Sequence, residues 1–132
     1  MDIKRIDPEE ARALLDSGEG YTYLDVRSKE EFSEGHVPGA VNIPVAVKNS
    51  MGPGLVPNPD FISEVEEQFE KDGKIITACL RGGRSMRAAM MLLSDGYTEI
   101  VDMRGGYDAE LDALGNVVVE GWARRDFPTT TD

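Results

Sequence analysis

The stretch KIITACLRGGRS, residues 74–85, decides the fold. Its first half, KIITA, is a short run of apolar and β-branched residues without alternation, the pattern of a strand buried on both faces. Gly82 and Gly83 then punctuate the chain. From Ser85 to Asp95 the spacing predicts a helix, with Met86, Ala89, Met90 and Leu93 on one face and Gly96 as its stop. A strand, a tight loop and a helix in succession form the repeating unit of a parallel α/β sheet.

The same alternation extends in both directions. Asp7-Pro8-Glu9-Glu10 reads as a helix start, followed by an apolar face of Ala11, Leu14 and Leu15. Residues 21–26 (YTYLDV) are β-rich and bounded by Gly20. Ser28-Lys29-Glu30-Glu31 is a capping box that opens a two-turn helix ending at Gly35. Residues 40–43 predict a brief strand closed by Pro44. The segment 48–57, with two Gly and two Pro, predicts a surface loop. Asn58-Pro59 caps a helix in which Phe61, Ile62, Val65 and Phe69 recur, and Asp72-Gly73 ends it. Downstream, residues 99–102 form a last core strand, and a short helix is expected between Gly105-Gly106 and Leu114. The segment 116–132, with Val117 to Val119 and Gly121-Trp122, is a C-terminal tail with no assigned partner. The expectation is one α/β domain over 1–132, with a mostly parallel sheet and helices on its faces. Ligands of such sheets sit at the carboxyl ends of strands. KIITA is the only predicted strand that ends on a nucleophile, Cys79.

Composition narrows the function. The chain of 132 residues carries a formal charge of −11, which disfavours nucleic acid or an anionic membrane as partner. One Cys excludes an internal disulfide framework and a Cys-pair zinc site. No metal and no cofactor are expected. The longest apolar run covers six residues, 88–93, too few to span a bilayer. The N-terminal residues contain no apolar signal core, so a cytoplasmic location is expected, where a free thiol stays reduced.

Charge is distributed unevenly. Between Gly73 and Ser94 lie Lys74, Arg81, Arg84 and Arg87 and no acid, leaving −15 on the other 110 residues. Two glycines allow the loop after Cys79 to curl so that its N–H groups converge, as in an anion-binding nest at a helix N-terminus. Thiols in such places, or beside Arg, ionise well below the ordinary value of about 8.5. Cys79 is therefore the candidate nucleophile, with Arg81 and Arg84 as a cradle for a small anion. Ser85 can cap the helix and donate to the sulfur. Arg87, inside the helix, reads as a solvated charge. His36 has no Ser or Asp at triad spacing and reads as structural. Asp25 and Arg27 share one side of their strand and can pair with each other or with Glu31. Met86 and Met90 read as core filling.

Cys79-Leu80-Arg81-Gly82-Gly83-Arg84-Ser85 resembles the active-site loop of single-domain rhodaneses, the thiosulfate sulfurtransferase family. Tyr23-Leu24-Asp25-Val26-Arg27, Glu30-Glu31-Phe32, Gly35-His36-Val37-Pro38-Gly39-Ala40 and Asn42-Ile43-Pro44 are similar to its N-terminal signature. Gly105-Gly106-Tyr107 resembles its C-terminal one. The resemblance runs over roughly residues 4–115; where the family often carries Trp, this chain has Glu110. It implies a five-stranded parallel sheet with helices on both faces. It also implies ping-pong chemistry: Cys79 takes the outer sulfur of a small anionic sulfane donor such as thiosulfate, holds it as a persulfide, and yields it to cyanide or a thiol, including a protein thiol. Leu80, Arg81, Gly82, Gly83, Arg84 and Ser85 are the substrate-binding loop on this reading, and a monomer or weak homodimer is expected. Two alternatives stand beside it. Cysteine phosphatases and arsenate reductases also use such loops, but with five residues between Cys and Arg. Here four separate Cys79 from Arg84, a smaller nest. The other alternative is a rhodanese-like carrier or binding module acting on a protein partner.

Overall fold

The backbone follows the predicted alternation through its centre and departs from it at the edges. The computed structural model describes residues 3–132. In chain order the elements are β1 (Lys4–Ile6), α1 (Pro8–Asp16), β2 (Thr22–Asp25), α2 (Lys29–Glu34), β3 (Val41–Asn42), β4 (Ala46–Lys48), β5 (Leu55–Pro57), α3 (Phe61–Gln68), β6 (Lys74–Ala78), α4 (Gly83–Ser94), β7 (Glu99–Met103), β8 (Ala109–Leu111) and β9 (Val117–Glu120), followed by one 3-10 turn, Trp122–Arg124. Five strands form a parallel sheet in the order β1-β7-β6-β2-β3. KIITA is its middle strand, with Ile75, Ile76, Thr77 and Ala78 fully buried. Burial on both faces is why its apolar residues do not alternate.

One face of the sheet carries α3 and α4, whose Phe61, Val65, Ala88, Ala89 and Leu92 pack on Leu24, Val26, Ile75 and Ile100. The other carries α1 and the C-terminal segment, with Ala11 and Trp122 against Tyr23, Ile76, Ala78 and Met103. Helices thus cover both faces. Two predicted caps are present: Asp7 accepts from the Glu10 N–H, and Ser28 and Glu31 form the reciprocal capping box of α2.

Five expectations are corrected. Residues 4–6 form an edge strand where no element was expected. The loop expected over 48–57 is an antiparallel hairpin in which β4 pairs with β5, its turn closed by Asn49 N–H to Gly54 carbonyl at 3.0 Å. The short helix expected between Gly106 and Leu114 is replaced by a strand: β8 pairs antiparallel with β9, and the Asp112 side chain closes the turn by accepting from Leu114 and Asn116. The tail thereby gains its partner, because a pairing strand satisfies backbone groups that a lone short helix would leave open. Helix α4 starts at Gly83 rather than Ser85, and it buries Ser85, Ala88, Ala89 and Leu92 while Met90 is 51% exposed. Ala88, Ala89 and Leu92 face the sheet with Met91 and Leu93 packed beside them, and Met90 turns outward. Asn58 lies outside α3, two residues before its N-cap Asp60, and accepts from the Asp60 N–H.

Candidate active site

Strand β6 delivers Cys79 to the carboxyl edge of the sheet, where it is 2% exposed. The chain then turns through Gly82, whose φ of 116° lies in the left-handed region that favours glycine. This turn directs the Gly82 N–H at Cys79 Sγ, 3.0 Å away. Gly82 is also the N-cap of α4, so the sulfur sits against the positive end of a twelve-residue helix. The thiol donates to Ser85 Oγ at 3.4 Å, and that hydroxyl donates to the Gly82 carbonyl at 3.2 Å. An ionised sulfur can take the Ser85 proton instead. The loop is therefore arranged to stabilise negative charge on Sγ or on an atom bonded to it.

A second layer holds the loop from below. Tyr107 N–H donates to the Cys79 carbonyl at 2.7 Å and Asp108 N–H to the Leu80 carbonyl at 3.0 Å. The 106–108 backbone is held in turn by the tail: Gly121, Trp122 and Ala123 N–H groups donate to the carbonyls of Asp108, Gly106 and Tyr107 at 2.8–2.9 Å. Gly106 is required because a Cβ there would lie 2.5 Å from the Cys79 carbonyl oxygen. The tail's contribution was invisible in the sequence, although the paired Gly105-Gly106 pointed to a close backbone approach.

The arginines do not form the open cradle that charge counting suggested. Arg84 is bound to Glu31 by two hydrogen bonds of 2.8 and 3.1 Å. That pairing, with support from the Ser28 N–H and against the cost of burial, holds the Glu31 carboxyl down at about 2. Arg81 is 59% exposed and 3.9 Å from Asp108. Arg87 is exposed on α4, as expected of a solvated charge. Leu80 lines a cleft of about 370 Å³ beside the loop, together with Arg27, Glu31, Glu34, Tyr107 and Asp108. Gly83 is exposed with open space around it.

The supporting residues also find their places. Arg27 pairs with Asp25 at 2.8 Å, both fully buried, and its guanidinium lies 4.2 Å from the Tyr107 ring centre. Of the two partners open to Arg27, Asp25 takes it, and Glu31 goes to the loop. His36 is structural: Nδ1 bonds the Phe32 carbonyl at 2.7 Å and the ring stacks on Phe32. Sequence reasoning missed a buried carboxylate behind Ser85. Asp102 accepts from Thr77 Oγ1 at 2.9 Å and from Arg5 Nε at 3.2 Å. Burial pushes its carboxyl up, against the hydrogen bonds from Thr77 and Arg5. Glu110 pairs with Arg104 at 2.8 Å, whereas the chain's one Trp, Trp122, packs edge-on against Tyr23 and Phe127.

Residues 7–112 match the family model described as Rhodanese-like domain. The chain belongs to the rhodanese-like domain family. This rhodanese-like domain is 44% identical over 112 residues to the Arabidopsis thaliana protein named HIGH ARSENIC CONTENT 1, mitochondrial, covering 85% of this chain and 64% of that protein. It is 41% identical over 110 residues to Thiosulfate sulfurtransferase 16, chloroplastic, of the same plant, covering 83% and 80% respectively. The chain thus spans slightly less than two thirds of the first of these relatives. The crystal structure of Rv0390 from M. tuberculosis shares the rhodanese-like domain's fold over the full length of both chains, with a TM-score of 0.78 at 23% identity.

Proposed function

We propose that this rhodanese-like domain is a sulfurtransferase that carries sulfane sulfur as a persulfide on Cys79. The observation that supports this most directly is the Gly82 N–H aimed at Sγ from 3.0 Å, at the head of α4. Relatives named thiosulfate sulfurtransferase at 41% and 32% identity support the same reading. The Cys79 thiolate attacks the outer sulfur of a donor such as thiosulfate. The new Sγ–S bond forms as the S–S bond of the donor breaks, and sulfite leaves with the electron pair. The enzyme-bound terminal sulfur carries the negative charge, which the loop N–H groups stabilise. A thiophilic acceptor, cyanide in an assay or a thiol in a reducing compartment such as the cytosol, then removes that sulfur and regenerates the thiolate. Ser85 steadies Sγ, and Leu80, Arg81, Gly82, Gly83 and Arg84 surround the incoming donor.

Incubation with thiosulfate followed by intact-mass measurement tests the proposal. A gain of one sulfur on Cys79, reversed by cyanide and absent in Cys79→Ser, is expected. Release of phosphate from an aryl phosphate without any persulfide would assign the loop to phosphoryl chemistry instead. Transfer that survives Cys79→Ser would remove Cys79 as the carrier.

A further inference from the structure

The half-buried loop cation that a sulfane dianion would use, Arg84, is already engaged. Arg84 lies within electrostatic reach of Cys79, yet both of its terminal nitrogens are bound by Glu31. Glu31 is itself fixed twice: it closes the capping box of α2 through the Ser28 N–H at 3.1 Å, and it takes the Ser28 hydroxyl at 3.0 Å. A carboxylate restrained by its own helix cannot swing away with its arginine, so the pair is a clamp rather than a loose surface contact. Arg27 is spent on Asp25, whereas Arg81 is exposed and stands 3.9 Å from Asp108, which Arg124 holds at 2.9 Å. Among the described residues, Glu34, at the same cleft, has no cationic partner. The buried and half-buried guanidinium groups of Arg27 and Arg84 are therefore each matched by a carboxylate at short range. Such a site suits a donor of low charge better than a small dianion.

We propose that Glu31 is a selectivity residue, which holds Arg84 in an ion pair beside Cys79 and so turns the site away from dianionic sulfane donors toward persulfides of low charge. The inference rests on the sulfurtransferase reading of Cys79. With a persulfide donor the step is again balanced: the Cys79 thiolate attacks the outer sulfur of R–S–SH, Sγ–S forms, and R–S⁻ leaves with the electron pair of the broken S–S bond. No oxidant is consumed. Neither this donor nor its leaving group brings two negative charges to the cleft.

The decisive variant is Glu31→Gln, because glutamine can still close a capping box while removing the charge. Transfer to cyanide is measured for the wild-type protein and the variant with two donors, thiosulfate and the persulfide of N-acetylcysteamine. Freed of its carboxylate, Arg84 should lower the KM for thiosulfate by about tenfold, a rim-charge effect of ordinary size. The kcat/KM for the neutral-bodied persulfide should change by less than about twofold, since it brings no dianion for Arg84 to attract. A purely structural role for Glu31 would lower both rates together. Glu31→Asp, which keeps the charge but withdraws it by one methylene, provides a second reading should the glutamine variant fold poorly, and an intermediate gain for thiosulfate is expected. The double variant Glu31→Gln/Arg84→Gln should lose the gain. An unchanged preference between the two donors, with Cys79 still persulfidated, would overturn the selectivity proposal alone. Failure of both donors to persulfidate Cys79 in the wild-type protein would overturn it together with the function on which it rests.

Discussion

Two Gly-Gly pairs approach Cys79, and they do opposite jobs. Gly82-Gly83 lies in front of the sulfur. There the requirement is torsional: Gly82 needs φ 116°, so that its N–H points at Sγ, while Gly83 has ordinary helical surroundings and open space. Gly105-Gly106 lies beneath. There the requirement is chiefly one of room: a Cβ on Gly106 would meet the carbonyl oxygens of both Cys79 and Leu80, at 2.5 and 2.6 Å. The first pair shapes the face that meets the donor. The second lets a supporting turn, residues 106–108, press against the loop's back. The same dipeptide thus serves an electrostatic purpose in one place and a packing purpose in the other.

The largest effect should come from the packing side. Gly106→Ala forces a backbone separation that no rotamer can relieve, and we expect a loss of about 3 kcal/mol or more by denaturant unfolding. A stable, active Gly106→Ala protein would break the contrast outright. Gly82→Ala should cost less, about 1–2 kcal/mol of backbone strain, but should reduce the rate of persulfide formation by about tenfold because the N–H leaves the sulfur. Equal losses of stability in the two variants would erase the distinction between torsion and room.

Acid sharpens the contrast further. The Glu31 carboxyl sits at about 2 in the folded protein, below the unfolded value near 4.3, so its contribution is complete above the unfolded value and is lost as pH falls through about 2. The stability gap between wild type and Glu31→Gln should be on the order of 1 kcal/mol at neutral pH, allowing for solvent screening of a half-buried pair, and should close toward pH 2. The corresponding pH profile for Gly106→Ala relative to wild type should stay level across that range. The smallest effect belongs to Gly83→Ala, where the helix start gains a better helix former; a rise of about 0.5 kcal/mol by denaturant unfolding is expected.

What could be seen in the sequence was local. A buried strand, a glycine turn and a helix over 74–95 need only neighbouring residues, and so did the caps at Asp7 and Ser28. What escaped depended on partners far along the chain. Lys4–Ile6 has a single buried apolar residue and becomes a strand only because β7 accepts it. Residues 109–114 carry helix-forming Ala, Glu and Leu, yet Val117–Glu120 pairs with this segment and overrides that propensity. The site shows the same division. The positions of Cys79, Gly82 and Ser85 were legible, whereas Glu31 lies 53 positions from Arg84 and its claim on that arginine was not. Counting charges along a window records how many cations are present, not which of them a carboxylate has taken.

The stacked backbone beneath Cys79 also has an order in time. Residues 79–80 are bonded by 107–108, and 106–108 by 121–123. Translation runs the other way, so the nucleophile leaves the ribosome before either of the segments that fix its loop. A nascent chain that ends before Gly121 carries its cysteine on a loop whose support is not yet held, and a segment synthesised well after the nucleophile secures it.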